Sequence, residues 1–216
     1  MFSAKPPDRL IVEYAYHKMA LKAGITMTRC DLLEENGRAH FMTERFDRDA
    51  EGGKIHVQSL CVMAHYDFNA AGEYSYEQAF SVVQRLNLGY PAVEEMYRRM
   101  VFNVVARNQD DHTRNIAFLM DRDGTWRLAP AFDVVWAYNS KGTRTNRQQM
   151  TVNGKRDDFE RTDLVAVADT FGVKGAADIL DQVAAAVAAW ESTARDCGVD
   201  EALLKTIGAT HRTNLL

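Results

Sequence analysis

The sequence predicts an α+β protein, with a β-containing first part over about residues 1–48 and a mostly helical remainder over 49–216. Three observations carry that prediction. Residues 40–46 alternate in character, and the Asn36-Gly37 dipeptide ahead of them is the pair favoured by a two-residue type I′ hairpin turn. From Ser75 onward the apolar residues recur instead at three- and four-residue spacing, as on one face of a helix. Toward the end, an Ala-rich tract supplies the best helix former with no Gly or Pro to interrupt it.

Taken in order, residues 1–8 are polar and carry two prolines, Pro6 and Pro7. Leu10 to Ala23 then places Leu10, Ile11, Tyr14, Ala15, Met19 and Ala20 at helical spacing, with Glu13 on or near that apolar face. Thr26–Phe46 reads as the hairpin, and Glu44-Arg45-Phe46-Asp47-Arg48 leaves its second strand for a loop containing Gly52-Gly53. Val57–Ala64 reads as a strand end followed by a short helix. Ser75 is a good cap for a helix running to Leu86, since Glu77 and Gln78 follow it and then an apolar stripe. Gly89 and Pro91 interrupt, and a helix resumes over Ala92–Ala106 with a stripe that marks core. Trp136–Lys155 is a long polar loop with an extended piece near Gln149–Val152. Three helices close the chain: Arg161–Phe171 stopped by Gly172, a long one over Ala176–Cys197 ended by Gly198, and Asp200–Gly208.

Bulk properties narrow the classes. At 216 residues, 46% hydrophobic and 26% charged, the chain can bury a substantial core. A net charge of −4 without a Lys/Arg block gives no support to direct nucleic-acid binding. Cys30, Cys61 and Cys197 are odd in number, far apart and in no CxxC arrangement, which speaks against a disulfide framework and a zinc site and for a reducing compartment. No signal-peptide pattern occurs, and no apolar run approaches the ~18 residues of a membrane span. The expectation is a soluble cytoplasmic protein that neither binds nucleic acid directly nor enters a membrane.

The chemistry gathers in Met100–Val135. Met100–Ala106 ends a helix, Arg107–Asn115 is a polar loop, and Ile116–Met120 and Thr125–Leu128 are strands joined by the turn Asp121-Arg122-Asp123-Gly124. A hairpin returns the chain to its start, so Asp133 is expected beside Asn115. Two carboxylates and an amide at one point, Asp110, Asp133 and Asn115, suit Mg²⁺ and phosphate chemistry. Competing readings remain at this stage. Asp110 and Asp111 are also good turn formers, and His112 with nearby Asp residues resembles part of a hydrolytic metal site, although no H-x-H or H-x-x-x-H spacing supports one. A calcium loop starting at Asp121 lacks its twelfth-position Glu, where Phe132 stands. No G-x-S-x-G elbow is present for acyl transfer.

The pattern N-x-D-x-H-x-x-N (Asn108, Asp110, His112, Asn115), then a hairpin, then L-A-P-A-F-D (Leu128–Asp133), resembles the C-terminal kinase domain of HipA-type serine/threonine kinases, the toxins of bacterial toxin–antitoxin pairs. E-R-F-D-R (Glu44–Arg48) resembles the family's hinge, and V-N-G-K-R-D-D (Val152–Asp158) a segment that follows its metal-binding Asp. The resemblance implies a protein-kinase-like fold, with part of a β-containing N-lobe at 1–48 and a helical C-lobe at 49–216. It further implies ATP and Mg²⁺ as cofactors, a Ser/Thr protein substrate and an antitoxin protein as partner. By the same resemblance Asp110 is the catalytic base, Asn115 and Asp133 ligate Mg²⁺, and His112 sits at the catalytic loop near the phosphates. Glu44 and Phe46 hold adenine through backbone groups and apolar contact. Arg114 stands where a Lys is common.

One departure accompanies the match. The family's upstream glycine-rich loop and ATP lysine have no counterpart ahead of Met1-Phe2-Ser3, and Lys5, followed by Pro6-Pro7, is out of register. The alternative expectation is therefore a kinase-like remnant without activity that binds a partner such as an antitoxin. A small-molecule kinase is a third reading, since D-x-x-x-x-N…D serves those enzymes too.

Overall fold

Pro fits the first turn of a helix, where its missing N–H has no partner to lose, and α1 (Pro7–Lys22) accordingly starts ahead of the apolar pattern that predicts it. It buries Val12, Ala15, Tyr16, Met19 and Ala20. The computed structural model describes residues 7–36 and 38–215. Lys5, Pro6 and the Met1-Phe2-Ser3 start lie outside the described residues, as does Gly37 of the predicted turn.

β1 (Cys30–Glu35) and β2 (Arg38–Thr43) form the expected antiparallel hairpin, with Cys30 opposite Thr43 and Leu33 opposite His40. Asn36 is left-handed, with φ 51°, as a type I′ turn requires. The hairpin is shorter than Thr26–Phe46 because Thr26 and Met27 go elsewhere. The Thr26 carbonyl accepts from the Ala131 N–H at 2.8 Å, and Met27 bridges Ala131 in parallel. This contact seats the first part of the chain on the segment leading to Asp133.

A second sheet is antiparallel in the order β3 (His56–Ser59), β4 (Ala117–Met120), β5 (Trp126–Leu128). Gln58 faces Phe118, and Phe118 faces Leu128. The short helix α2 (Leu60–Met63) follows β3, as read from the sequence. Its Leu60 N–H donates to the Ile116 carbonyl at 2.7 Å, fixing α2 beside the start of β4.

The helical remainder comprises α3 (Tyr76–Arg85), α4 (Tyr90–Val105), α5 (Arg161–Phe171), α6 (Ala176–Ala188), α7 (Trp190–Asp196) and α8 (Glu201–Gly208). Ser75 caps α3 in a capping box with Gln78, satisfying two N-terminal donors. α4 begins at Tyr90 rather than Ala92, because Pro91 belongs to its first turn and Gly89 supplies the N-cap at φ 77°. The predicted Ala176–Cys197 helix is in fact two, α6 and α7, joined at Ala189. The break lets Trp190 turn inward: it is 1% exposed, donates Nε1–H to the Leu204 carbonyl at 2.8 Å, and meets the Tyr16 ring edge-on at 5.1 Å. Burial of Trp190, the largest fully buried side chain among the described residues, overrides the helix propensity of the alanines before it. One core runs from α1 through α3 and α4 to α8. The result is a mixed α/β fold with a β-rich N-terminal region and a helical C-terminal region.

Candidate active site

The loop that carries the candidate residues is aimed by the end of α4. The Asn108 N–H reaches back to the Asn103 carbonyl at 3.0 Å, and Arg107 takes a left-handed conformation (φ 56°) that a glycine usually supplies. Arg107 is held there by Nε–H donation to the Thr210 carbonyl (2.9 Å), by Asp157 at 3.5 Å, and by the Tyr138 ring under its guanidinium. Beyond it, the Gln109 N–H donates to the Ala137 carbonyl and the Ala137 N–H to that of Arg107, joining this loop to the segment after Asp133.

The D-x-x-x-x-N spacing closes on itself. Thr113–Asn115 is a single tight turn, and the Asn115 Nδ2–H donates to the Asp110 carbonyl at 3.0 Å. Asn115 Oδ1 is left without a hydrogen bond among the described residues. The β4–β5 turn is a hairpin turn, with Asp121 Oδ1 accepting from the N–H groups of Asp123 (3.0 Å) and Thr125 (2.9 Å). The chain then returns under the buried Arg99, which pairs with Glu95 at 2.7 Å and donates to the Ala129 carbonyl. It arrives at Asp133, which is exposed and left-handed at φ 54°.

Asn115, His112 and Asp133 line one cleft, together with Asn103 and Asn108. Phe132 and Asp133 also wall a second cleft toward Glu13, His17 and Cys30. Phe132 walls a third with Glu44, Phe46 and Val57, about 290 Å³ in volume, at the lower edge of the ~300–1,000 Å³ usual for small-molecule sites. The Phe46 and Phe132 rings lie 5.4 Å apart. The expected residues Glu44, Phe46, His112, Asn115 and Asp133 thus border adjoining clefts that share Phe132. Asp110 is the exception. Its carboxylate is half-exposed, 3.9 Å from Nε2 of the cleft-lining His112.

The donors suit the expected ligands in kind. An uncommitted amide oxygen and an uncommitted carboxylate, on Asn115 and Asp133, are the partial set that Mg²⁺ takes when phosphates and water complete its octahedron. At the hinge-like strand end, the Glu44 N–H is already used on the Arg29 carbonyl at 2.9 Å. The Glu44 carbonyl and Phe46 N–H make no hydrogen bond among the described residues, and they form an acceptor–donor pair of the kind adenine's edge requires. Asp47 anchors this strand end through Arg45 (2.6 Å) and Arg48 (2.7 Å), and the Arg45 hydrogen bonds hold its carboxyl below the ordinary range.

Sequence reasoning missed Asp111. It is 3% exposed and accepts from the Tyr76 hydroxyl (3.0 Å), Gln148 Nε2–H (3.1 Å) and Gln149 N–H (2.7 Å). Tyr76 accepts in turn from Asn103 Nδ2–H (2.9 Å), and Asn103 Oδ1 from Asn108 Nδ2–H (3.0 Å). This buried network fixes the loop next to Asp110. No sequence signal marks it, because its donors lie at residues 76, 148 and 149 and its buried neighbours Asn108 and Gln109 are polar.

The family model described as the HipA-like C-terminal domain matches residues 2–190. Y4mE of Sinorhizobium fredii, which carries a kinase name, is 27% identical over 128 residues, or 55% of this chain and 30% of that protein. A chain from the complex of HipA, HipB and operator DNA of Shewanella oneidensis superposes with a TM-score of 0.71 at 18% identity, covering 96% of this chain and 54% of that one. CtkA, a proinflammatory kinase of Helicobacter pylori, superposes with a TM-score of 0.59 at 10% identity, covering 99% and 84%. At such identities the two structural likenesses speak to a shared kinase-like bilobed fold. The chain spans about a third of Y4mE and about half of the Shewanella chain.

Proposed function

The chain belongs to the HipA-like C-terminal domain family, and on that premise we propose that it is an ATP- and Mg²⁺-dependent serine/threonine protein kinase domain. The observation that carries the reading is the shared wall. Phe132 faces the hinge-like strand end on one side, and its neighbour Asp133 faces Asn115 on the other. A nucleotide with its base against Glu44 and Phe46 would bring its phosphates to Asn115 and Asp133.

In this reading the Glu44 carbonyl and Phe46 N–H pair with the adenine edge, and the Phe46 and Phe132 rings, packed against each other, offer it one apolar wall. Asn115 Oδ1 and the Asp133 carboxylate hold Mg²⁺, which supplies charge neutralisation of the phosphates. Asp110, half-exposed on the same loop, accepts the proton of the attacking Ser or Thr hydroxyl. His112, edge-on to Phe68, lies in the cleft with Asn115 and Asp133, near the phosphates. Most of this catalysis is positioning and electrostatics, so a loop pinned by buried hydrogen bonds is what it needs. An antitoxin protein of the kind bound in the Shewanella complex is the proposed partner, and the cytoplasm the proposed compartment.

Incubation of the full-length protein with Mg²⁺ and labelled ATP tests the reading. Phosphate transfer to itself or to a protein substrate is expected, with Asp110→Asn and Asp133→Asn abolishing it. Undiminished labelling in either variant rejects the assignment.

A further inference from the structure

The last carbonyls of a helix find no partner within it and must be satisfied from outside. At the end of α4 the Phe102 and Asn103 carbonyls accept from the nearby Ala106 and Asn108 N–H groups. Those of Val104 and Val105 both go to one residue near the end of the chain. Arg212 donates Nη1–H to the Val104 carbonyl at 3.0 Å and its backbone N–H to the Val105 carbonyl at 2.9 Å. Its Nη2–H donates to Asp157, and its guanidinium lies over the Phe159 ring. Arg212 is buried there, and a cation at a helix C-terminus also complements the negative end of the helix dipole.

Thr210 joins the same helix end to the other arm of the site. Its carbonyl accepts from Arg107 Nε–H at 2.9 Å, and its hydroxyl oxygen accepts from Trp136 Nε1–H at 3.0 Å. The hydroxyl proton goes to the Ile207 carbonyl at 2.7 Å, in the last turn of α8, so the oxygen is fixed in direction. Arg107 opens the loop that carries Asp110, and Trp136 follows closely on Asp133. Asp157 meets Arg107 at 3.5 Å as well as Arg212. Gln109, buried one residue before Asp110, is held by the same group. In the amide orientation that matches donors to acceptors, it accepts from Arg212 Nη2–H at 3.2 Å and donates to the Thr145 carbonyl at 3.1 Å. Thr210 and Arg212 lie beyond the residues 2–190 that the family model matches, so family membership assigns them no part.

We propose that Thr210 and Arg212 are positioning residues for phosphate transfer, holding the loop of Asp110 and the segment of Asp133 in one fixed relation. Arg212 fixes the helix end from which the loop departs. Thr210 ties that departure, through Arg107 and Trp136, to the chain leaving Asp133. The proposal rests on the kinase reading for its reaction and on these hydrogen bonds for its clasp.

Steady-state phosphate transfer and amide hydrogen exchange on the full-length protein test it, at a temperature where every variant is fully folded. Thr210→Val keeps the side-chain shape and removes the hydroxyl. Its kcat is expected to fall about tenfold with the KM for Mg²⁺-ATP within about twofold, because the hinge-side wall at Glu44 and Phe46 is untouched. Thr210→Ser keeps the hydroxyl and should restore kcat. Gly172→Ala, which strains the end of α5, is the control for a purely structural loss and should leave kcat unchanged. The Gln109 N–H bonds to the Ala137 carbonyl and the Ala137 N–H to that of Arg107, across the two segments. Both amides should exchange about tenfold faster in Thr210→Val. Arg212→Gln should act in the same way, and Thr210→Val, at a half-buried position, stays informative should Arg212→Gln fold poorly. Unchanged kcat or unchanged exchange in Thr210→Val overturns the proposal, as does a loss that Thr210→Ser fails to reverse or that Gly172→Ala shares. Wild-type transfer in any of those cases leaves the kinase reading standing. Faster exchange at both amides with no transfer by wild type would keep the clasp and remove the kinase reading.

Discussion

Asp111 gives the most direct physical test of how the loop is held. Burial pushes its carboxyl up to about 6, even with three donors favouring the ionised form, whereas an exposed Asp ionises near ~3.9. The pKa is raised on folding, so the associated stabilisation is fully present below about pH 4 and is lost as pH rises through about 6. At ~1.4 kcal/mol per pH unit for one proton, the loss is roughly 3 kcal/mol. His211 acts in the opposite sense. Burial lowers its imidazole to about 4, so its contribution is present above ~6.5 and lost as pH falls through about 4. The two slopes oppose each other over the same window, and the wild-type profile alone would hide both. Urea unfolding of wild type and Asp111→Asn at several pH values between 4 and 7.5 isolates the carboxyl, because Asn does not titrate. Asn also turns an amide N–H₂ toward existing donors, which adds a constant offset and leaves the slope alone. Relative to the variant, wild type should lose about 3 kcal/mol from pH 4 to pH 7. Parallel curves would refute the assignment of a buried, ionising Asp111.

Three further outcomes follow from the same structure. Tyr76→Phe strands the Asn103 Nδ2–H and removes a donor from Asp111, and should cost about 2 kcal/mol in urea unfolding with the fold retained. Gly172→Ala places a methyl in open space but at φ 66°, so only backbone strain acts, and a loss of about 1 kcal/mol is expected by thermal or urea unfolding. Phe46→Ala removes one ring from the hinge-side cleft and should weaken Mg²⁺-ATP binding about tenfold in calorimetry, with a loss of about 1 kcal/mol in stability because the ring is partly buried against Phe132 and the cluster of Ala117, Leu119 and Ala129.

What could be read in the sequence was what depends on local rules. Ser75 with Gln78, Asp200 ahead of α8, Gly172 after α5 and the Asn36 turn all act within a few residues, and each appears where spacing places it. The inward turn of Trp190 was illegible because its partners, Tyr16 and Leu204, sit on α1 and α8. The site divides in the same way. That Asp110 and Asn115 lie together was legible because the six-residue stretch 110–115 returns to itself through the hydrogen bond from the Asn115 side chain to the Asp110 carbonyl. Asp111 was not, since its donors come from α3 and from residues 148–149, far along the chain. Nothing in a D-D pair says which carboxyl will face water and which will face inward.

Two non-glycine residues held left-handed bracket the loop and hairpin, and comparing them separates strain with a structural return from strain without one. At Arg107 the conformation costs about 1–2 kcal/mol, and the contacts of that side chain with Thr210, Asp157 and Tyr138 offset it. Asp133 carries similar strain, yet its carboxylate is exposed and makes no hydrogen bond or ion pair among the described residues. Strain that the fold does not use is a reason to look for function. Glycine adopts this backbone freely, though it also makes the unfolded chain more flexible, and the two effects are each near 1 kcal/mol and opposed. Asp133→Gly should therefore unfold within about 1 kcal/mol of wild type in urea while losing phosphate transfer. A large destabilisation would mean that the side chain serves the fold after all, and full transfer with unchanged stability would remove Asp133 from the metal set.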